Sequence, residues 1–144
     1  MASVTLEQAI NIAESTLDAA REMALKPLTV AVLDAGGHLV AFMREDDSGI
    51  LRPEMATAKA YGSLGLGMGS RGYADREIQF LAPLAAASQG RLLPVAGGVL
   101  IRGDDGGRIL GAVGASGDTG DNDEAAIIAG IRAAGLFADT GGPA

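Results

Sequence analysis

Two short β-branched runs, each doubling back on itself around paired glycines, constrain most of what this 144-residue chain can become. Residues 28–34 (LTVAVLD) and 39–44 (LVAFMR) flank Ala35-Gly36-Gly37-His38. Residues 99–102 (VLIR) and 108–115 (RILGAVGA) flank Gly103-Asp104-Asp105-Gly106-Gly107. Runs of this kind around Gly-Gly read as hairpins. Hairpins make antiparallel neighbours, which rules out a doubly wound parallel sheet. Residues 92–98 (LLPVAGG) are expected to add a short edge strand, because Pro94 cannot donate to a ladder but is tolerated at an edge.

Helices punctuate the hairpins. Apolar positions at Leu6, Ile10, Ala13, Leu17, Ala20 and Ala24 recur every three to four residues, and Thr5 with Gln8 has capping-box spacing, so residues 5–24 form the first helix. Pro53 suits a first helical position and Glu54 its first turn, which opens a second helix over residues 53–64. Five glycines between 62 and 72 then weaken helical preference and mark a connection. A third helix over residues 74–82 is interrupted or restarted by Pro83, and a fourth covers residues 122–134, before Gly135. The order of elements is α, hairpin, α, α, edge strand with hairpin, α: an α+β domain with helices packed on an antiparallel sheet. One domain over residues 1–138 is expected, followed by a loose Gly/Pro tail over 139–144.

Composition excludes several functions. With no Trp, three Phe and two Tyr, the core must be built from Ala, Val, Leu and Ile. A net charge of −7, with eleven scattered Lys and Arg, gives no basic stripe for nucleic acid. The absence of cysteine removes disulfides, thiolate metal sites and a cysteine nucleophile. Residues 1–14 lack a basic segment followed by an apolar one, and no apolar run nears the roughly 20 residues that span a bilayer. A cytoplasmic protein without membrane partners is the expectation.

The bend over residues 114–124 (GASGDTGDNDE) is far richer than a connector requires. Asp118, Asp121, Asp123 and Glu124 crowd a helix start, where carboxylates cap free N–H groups and complement the dipole. The sharper reading is an anion-receiving nest of amides from residues 117–120, with Ser116 and Thr119 adding hydroxyls beside Gly117. Calcium in an EF-hand is excluded, because no Gly at position six and Glu at twelve follow either Asp118 or Asp121. Lys59 lies in the small-residue segment MATAKAY. It is either a snorkelling surface lysine or, if the alanines pack closely, a counter-ion for a carboxylate or propionate in a pocket. Arg44 and Arg52 offer the same charge. Gly97-Gly98, at a strand entry, allow close backbone approach to a ligand or a bulge. His38, the only histidine, is a turn residue or an axial ligand for haem iron.

Several of these segments together resemble the GlcG/HbpS-like family, also found as the C-terminal domain of PduO-type proteins. They are VLDAGGHLVAF (32–42), the Lys59-Ala60 helix, GGVLI (97–101), GAVGASGDT (111–119) and Asp123-Glu124. The resemblance runs in order over residues 5–136. It implies a profilin-like or PAS-like layer of about five antiparallel strands, assembly into homodimers or homo-octamers, and, in some members, binding of haem or iron. His38 is the iron-ligand candidate on chemical grounds.

Two functions stay open. One is a binding protein for haem or a similar planar carboxylated molecule held between subunits, with His38 as ligand, Lys59 or Arg44 pairing with propionates, and Gly97, Gly98, Ser116, Gly117 and Thr119 lining the site. The other is a catabolic enzyme for a small hydroxy or keto acid, with Lys59 as anion holder or base, Asp123 or Glu124 as acid-base group, and the nest stabilising an oxyanion. A ligandless oligomeric accessory protein is the third and plainest option.

Overall fold

The computed structural model describes residues 2–103 and 106–143. Asp104 and Asp105, in the expected second hairpin turn, and Met1 and Ala144 lie outside the described residues. Among the described residues, four α-helices and five strands run α1 (Leu6–Glu22), β1 (Thr29–Asp34), β2 (Leu39–Arg44), α2 (Arg52–Leu66), α3 (Ile78–Ala87), β3 (Gly98–Arg102), β4 (Ile109–Ser116), α4 (Gly120–Ala133) and β5 (Phe137–Asp139). The sheet order is β2-β1-β4-β3-β5, with every neighbouring pair antiparallel. Both Gly-Gly hairpins therefore form as expected, and the architecture is the α+β one anticipated. No helix among the described residues is long and apolar enough to cross a membrane.

The three layers follow from strand alternation. Val30, Val32, Val99, Ile101 and Val113 point to one face, where Ile12, Ala13, Ile127 and Ile131 of α1 and α4 cover them. Leu33, Leu100 and Ala112 point to the other face, under Ala60 of α2. α2 can lie so close because Gly98 and Gly114 are cross-strand partners beneath it. A Cβ at Gly114 would overlap the Ala56 carbonyl, and one at Gly98 the Lys59 carbonyl. Thr5 caps α1 in the reciprocal box expected from its spacing with Gln8.

Three elements differ from the sequence expectation. Residues 92–97 form no strand. The free edge of β3 is taken instead by Phe137–Asp139, so Asp139, expected to begin the tail, ends β5. Helix α2 runs on through Gly62 and Gly65 and stops only at Gly67, whose left-handed backbone (φ +72°) caps it. Helix α3 begins later than expected and passes through Pro83, which forfeits one intrahelical bond without ending the helix.

Candidate functional site

Where the C-terminal end of β4 meets α2 and the start of α4, the fold gathers most of the polar residues singled out above. Lys59 reaches over Gly97 and donates from Nζ to the Ala115 carbonyl at 2.9 Å and to Asp123 Oδ2 at 3.4 Å. The lysine side chain is 2% exposed and the aspartate 0%. Burial depresses the Lys59 ammonium, reinforced by nearby Arg52 and opposed by Asp123. Burial likewise raises the Asp123 carboxyl, against the Asp118 amide and Lys59. The pair meets directly, and neither residue lines any of four surface clefts of about 310 to 450 Å³ among the described residues.

Two amides of the expected nest are taken by the chain's own acids. Asp123 Oδ1 accepts the Asp118 amide at 2.9 Å, and Asp118 Oδ1 accepts the Thr119 amide at 2.8 Å. Thr119 is the N-cap of α4, its hydroxyl accepting from the Asn122 amide. Asp118 also takes the Lys26 amide and the Asn122 side chain, and these bonds, the Lys26 amide first, hold its carboxyl down to about 2. It staples the α1–β1 loop to the β4–α4 bend. Gly117 lets that bend pass the Pro27 carbonyl, which a Cβ would overlap. The close approach foreseen at Gly97-Gly98 is thus made to α2: Gly97 (φ +117°) backs onto Lys59 Nζ, and Gly98 onto the Lys59 carbonyl.

Around this core, Ser116 is buried, accepts from Arg52 Nη1 at 3.0 Å and donates to Met55 Sδ at 3.7 Å. Glu124 is nearly buried and clasped by Arg71 Nε at 3.0 and 3.1 Å, while Arg71 Nη2 also pairs with Asp121. Arg44 caps the Ser48 carbonyl and lines a cleft with Arg21, Pro27 and Glu45.

His38 lies apart. Ala115 pairs with Val30, and Asp34, the residue that holds His38, is four positions along β1, or about 13 Å. His38 Nδ1 sits 3.1 Å and 3.2 Å from the two Asp34 carboxylate oxygens, with the ring 79% exposed. Slight burial opposes ionisation of Asp34, but the His38 and Gly36 amides and the imidazole outweigh it and keep the carboxyl below its usual range. Within one chain His38 and the Lys59–bend cluster therefore lie toward opposite ends of the sheet.

Sequence reading passed over Asp34, although its spacing to His38 around the Gly-Gly turn marks it as a local partner. It also passed over Arg71, which no periodicity flags, and Arg91, whose guanidinium stacks 4.1 Å above the Tyr61 ring. Among the described residues no group of three or more His, Asp or Glu is arranged to hold a metal ion.

Comparison with curated protein sequences yields no match. Among solved structures, a PduOC:haem complex superposes with a TM-score of 0.80 at 22% identity, over 91% of this chain and 94% of that one. Klebsiella pneumoniae ORFY, described as DUF336, gives 0.81 at 24%, over 93% and 92%. A double mutant of Streptomyces reticuli HbpS gives 0.77 at 26%, over 92% and 87%. A family model described as haem degrading protein HbpS-like matches residues 4–132, nearly the whole chain, and this protein accordingly belongs to the HbpS-like family.

Proposed function

We propose that this protein is a cytoplasmic homo-oligomeric binding protein for haem, with His38 as the iron ligand. The observation that carries the reading is the Asp34–His38 pair. A carboxylate that accepts Nδ1–H fixes the imidazole tautomer and leaves the Nε2 lone pair facing outward, as metal-ligating histidines require. Bound there, haem would supply an iron centre whose remaining coordination the surroundings control. Two further points support the reading: membership of a family described as haem degrading, and likeness in fold to a haem complex.

One protomer leaves the imidazole open to water. Exposed apolar residues on β2, Leu39 directly after it and Phe42 further along the strand, support closure of the site by a second subunit, in a dimer or in an octamer built from dimers. Lys59 has no part in holding propionates in this reading, since its ammonium is committed to Ala115 and Asp123. The test is titration of ferric haem into the purified protein. A sharp Soret band at micromolar haem that His38→Ala abolishes, with light scattering reporting more than one subunit, supports the proposal. Absence of the band, or equal binding by the His38→Ala variant, overturns it.

A second reading draws on the opposed pKa shifts of Lys59 and Asp123, a pattern common to acid-base pairs. In it the pair acts on a small hydroxy or keto acid admitted when α2 lifts from the sheet. Turnover of such acids, lost in Asp123→Asn but kept in His38→Ala, would favour it.

A further inference from the structure

We propose that the cleft between α2 and α3 binds a small monocarboxylate with a compact apolar body, its carboxylate held by Arg91. This inference is independent of the haem reading. The cleft measures about 310 Å³, at the small end of ligand pockets, which run from about 300 to 1,000 Å³. Its walls are Leu66, Leu84 and Leu92, and its floor is the bare backbone of α2 at Gly62 and Gly65.

The two floor glycines differ in origin. A Cβ at Gly62 would press on Leu92 Cδ1 at 2.7 Å and on the Tyr73 hydroxyl at 2.8 Å, so packing demands glycine. At Gly65 a Cβ would meet nothing within 4 Å, so nothing in the protein's own packing explains a residue that weakens the helix. The space it leaves belongs to the cleft. Directly behind Gly62, the Tyr73 hydroxyl is buried beside Ser63. Neighbouring Ser63 donates its own hydroxyl to the Lys59 carbonyl.

At the rim, Arg91 is held at two points. Its Nε donates to the Ser88 carbonyl at 2.8 Å, and its guanidinium stacks on Tyr61. No carboxylate among the described residues stands within ion-pair distance of it, and Glu54 lines the adjoining cleft on its other side without pairing. A planar fork fixed by stacking, with its Nη groups unengaged by any acid, suits bidentate capture of one carboxylate. A chain of net charge −7 favours a singly charged ligand over a polyanion.

The experiment uses benzoate as probe and benzyl alcohol as its uncharged counterpart, titrated calorimetrically into the full chain. Benzoate is expected to bind saturably and benzyl alcohol at least 10-fold more weakly. Arg91→Gln, at an exposed position, is expected to weaken benzoate by about 10- to 100-fold, the loss typical of a charge-assisted hydrogen bond. Gly65→Leu fills the cleft from its floor while leaving Arg91 in the sequence, and is expected to abolish binding while raising the melting temperature. Equal binding of acid and alcohol, no binding of either, or unchanged affinity in both variants overturns the proposal. His38→Ala should leave benzoate binding intact, which separates this site from the haem site.

Discussion

Lys59→Met is the perturbation that best tests whether the Lys59–Asp123 pair is structural. The substitution keeps the apolar stem and removes only the ammonium. Asp123 Oδ2 then loses its partner at 0% exposure while Oδ1 keeps the Asp118 amide, and the Ala115 carbonyl loses its donor. Stripping one partner from a buried pair typically costs about 3–5 kcal/mol, because the survivor must stay charged without compensation or change protonation. Against a domain stability of about 5–15 kcal/mol, that is a third or more of the total for most such domains. Lys59→Met/Asp123→Leu removes both charges and should cost at least 2 kcal/mol less than the sum of the single substitutions, by the buried-pair argument.

Urea denaturation of the four proteins at pH 7 measures this cycle directly. The pH dependence adds a check of sign. Burial raises the Asp123 carboxyl above 3.8, so just above 3.8 the folded Lys59→Met chain holds a proton that the unfolded chain has released. Stability therefore rises as pH falls through that window, and the deficit of the variant is largest at higher pH. A Lys59→Met cost below about 1 kcal/mol with additive behaviour would refute the reasoning, and would mean that the ammonium is solvated and free to act on a ligand.

Two further predictions concern glycines and the staple. Gly114→Ala should destabilise by about 1–3 kcal/mol or more, as overpacking does, because its Cβ would overlap a helix backbone carbonyl that cannot retreat alone. Gly65→Ala should stabilise by about 0.5–1 kcal/mol, as it places a better helix former in open space. Both are read from denaturation midpoints, and matching signs would contradict the close docking of α2. Asp118, held down to about 2 against 3.8 when unfolded, contributes stability that is fully present above 3.8 and lost as pH falls through 2. Asp118→Asn should flatten the acid limb of a stability-versus-pH curve between about 4 and 2, and an unchanged limb would show that the staple does not form.

Much of the fold could be read from local pattern. The strand-Gly-Gly-strand runs specified the hairpins, Thr5 with Gln8 specified the start of α1, and the acidic bend specified the start of α4, because each signal acts within a few residues of backbone. The place of Lys59 was left open between a surface lysine and a buried one, and the packing of α2 on Gly98 and Gly114 decided for burial.

What the bend does with its acids was not legible. Whether amides at residues 117–120 face a ligand or their own carboxylates depends on side-chain geometry, and the fold turned Asp118 and Asp123 inward. The fifth strand was equally hidden, because Phe137–Asp139 has three residues and little strand character until the free edge of β3 offers it partners. Local sequence decided the two hairpins and the places of α1 and α4, through periodicity and turn chemistry that operate at short range. Only the packed structure decided that Gly98 and Gly114 admit a helix in place of a ligand, that Lys59 is sealed, and that His38 stands at the opposite end of the sheet, since all three depend on contacts between residues distant in the chain.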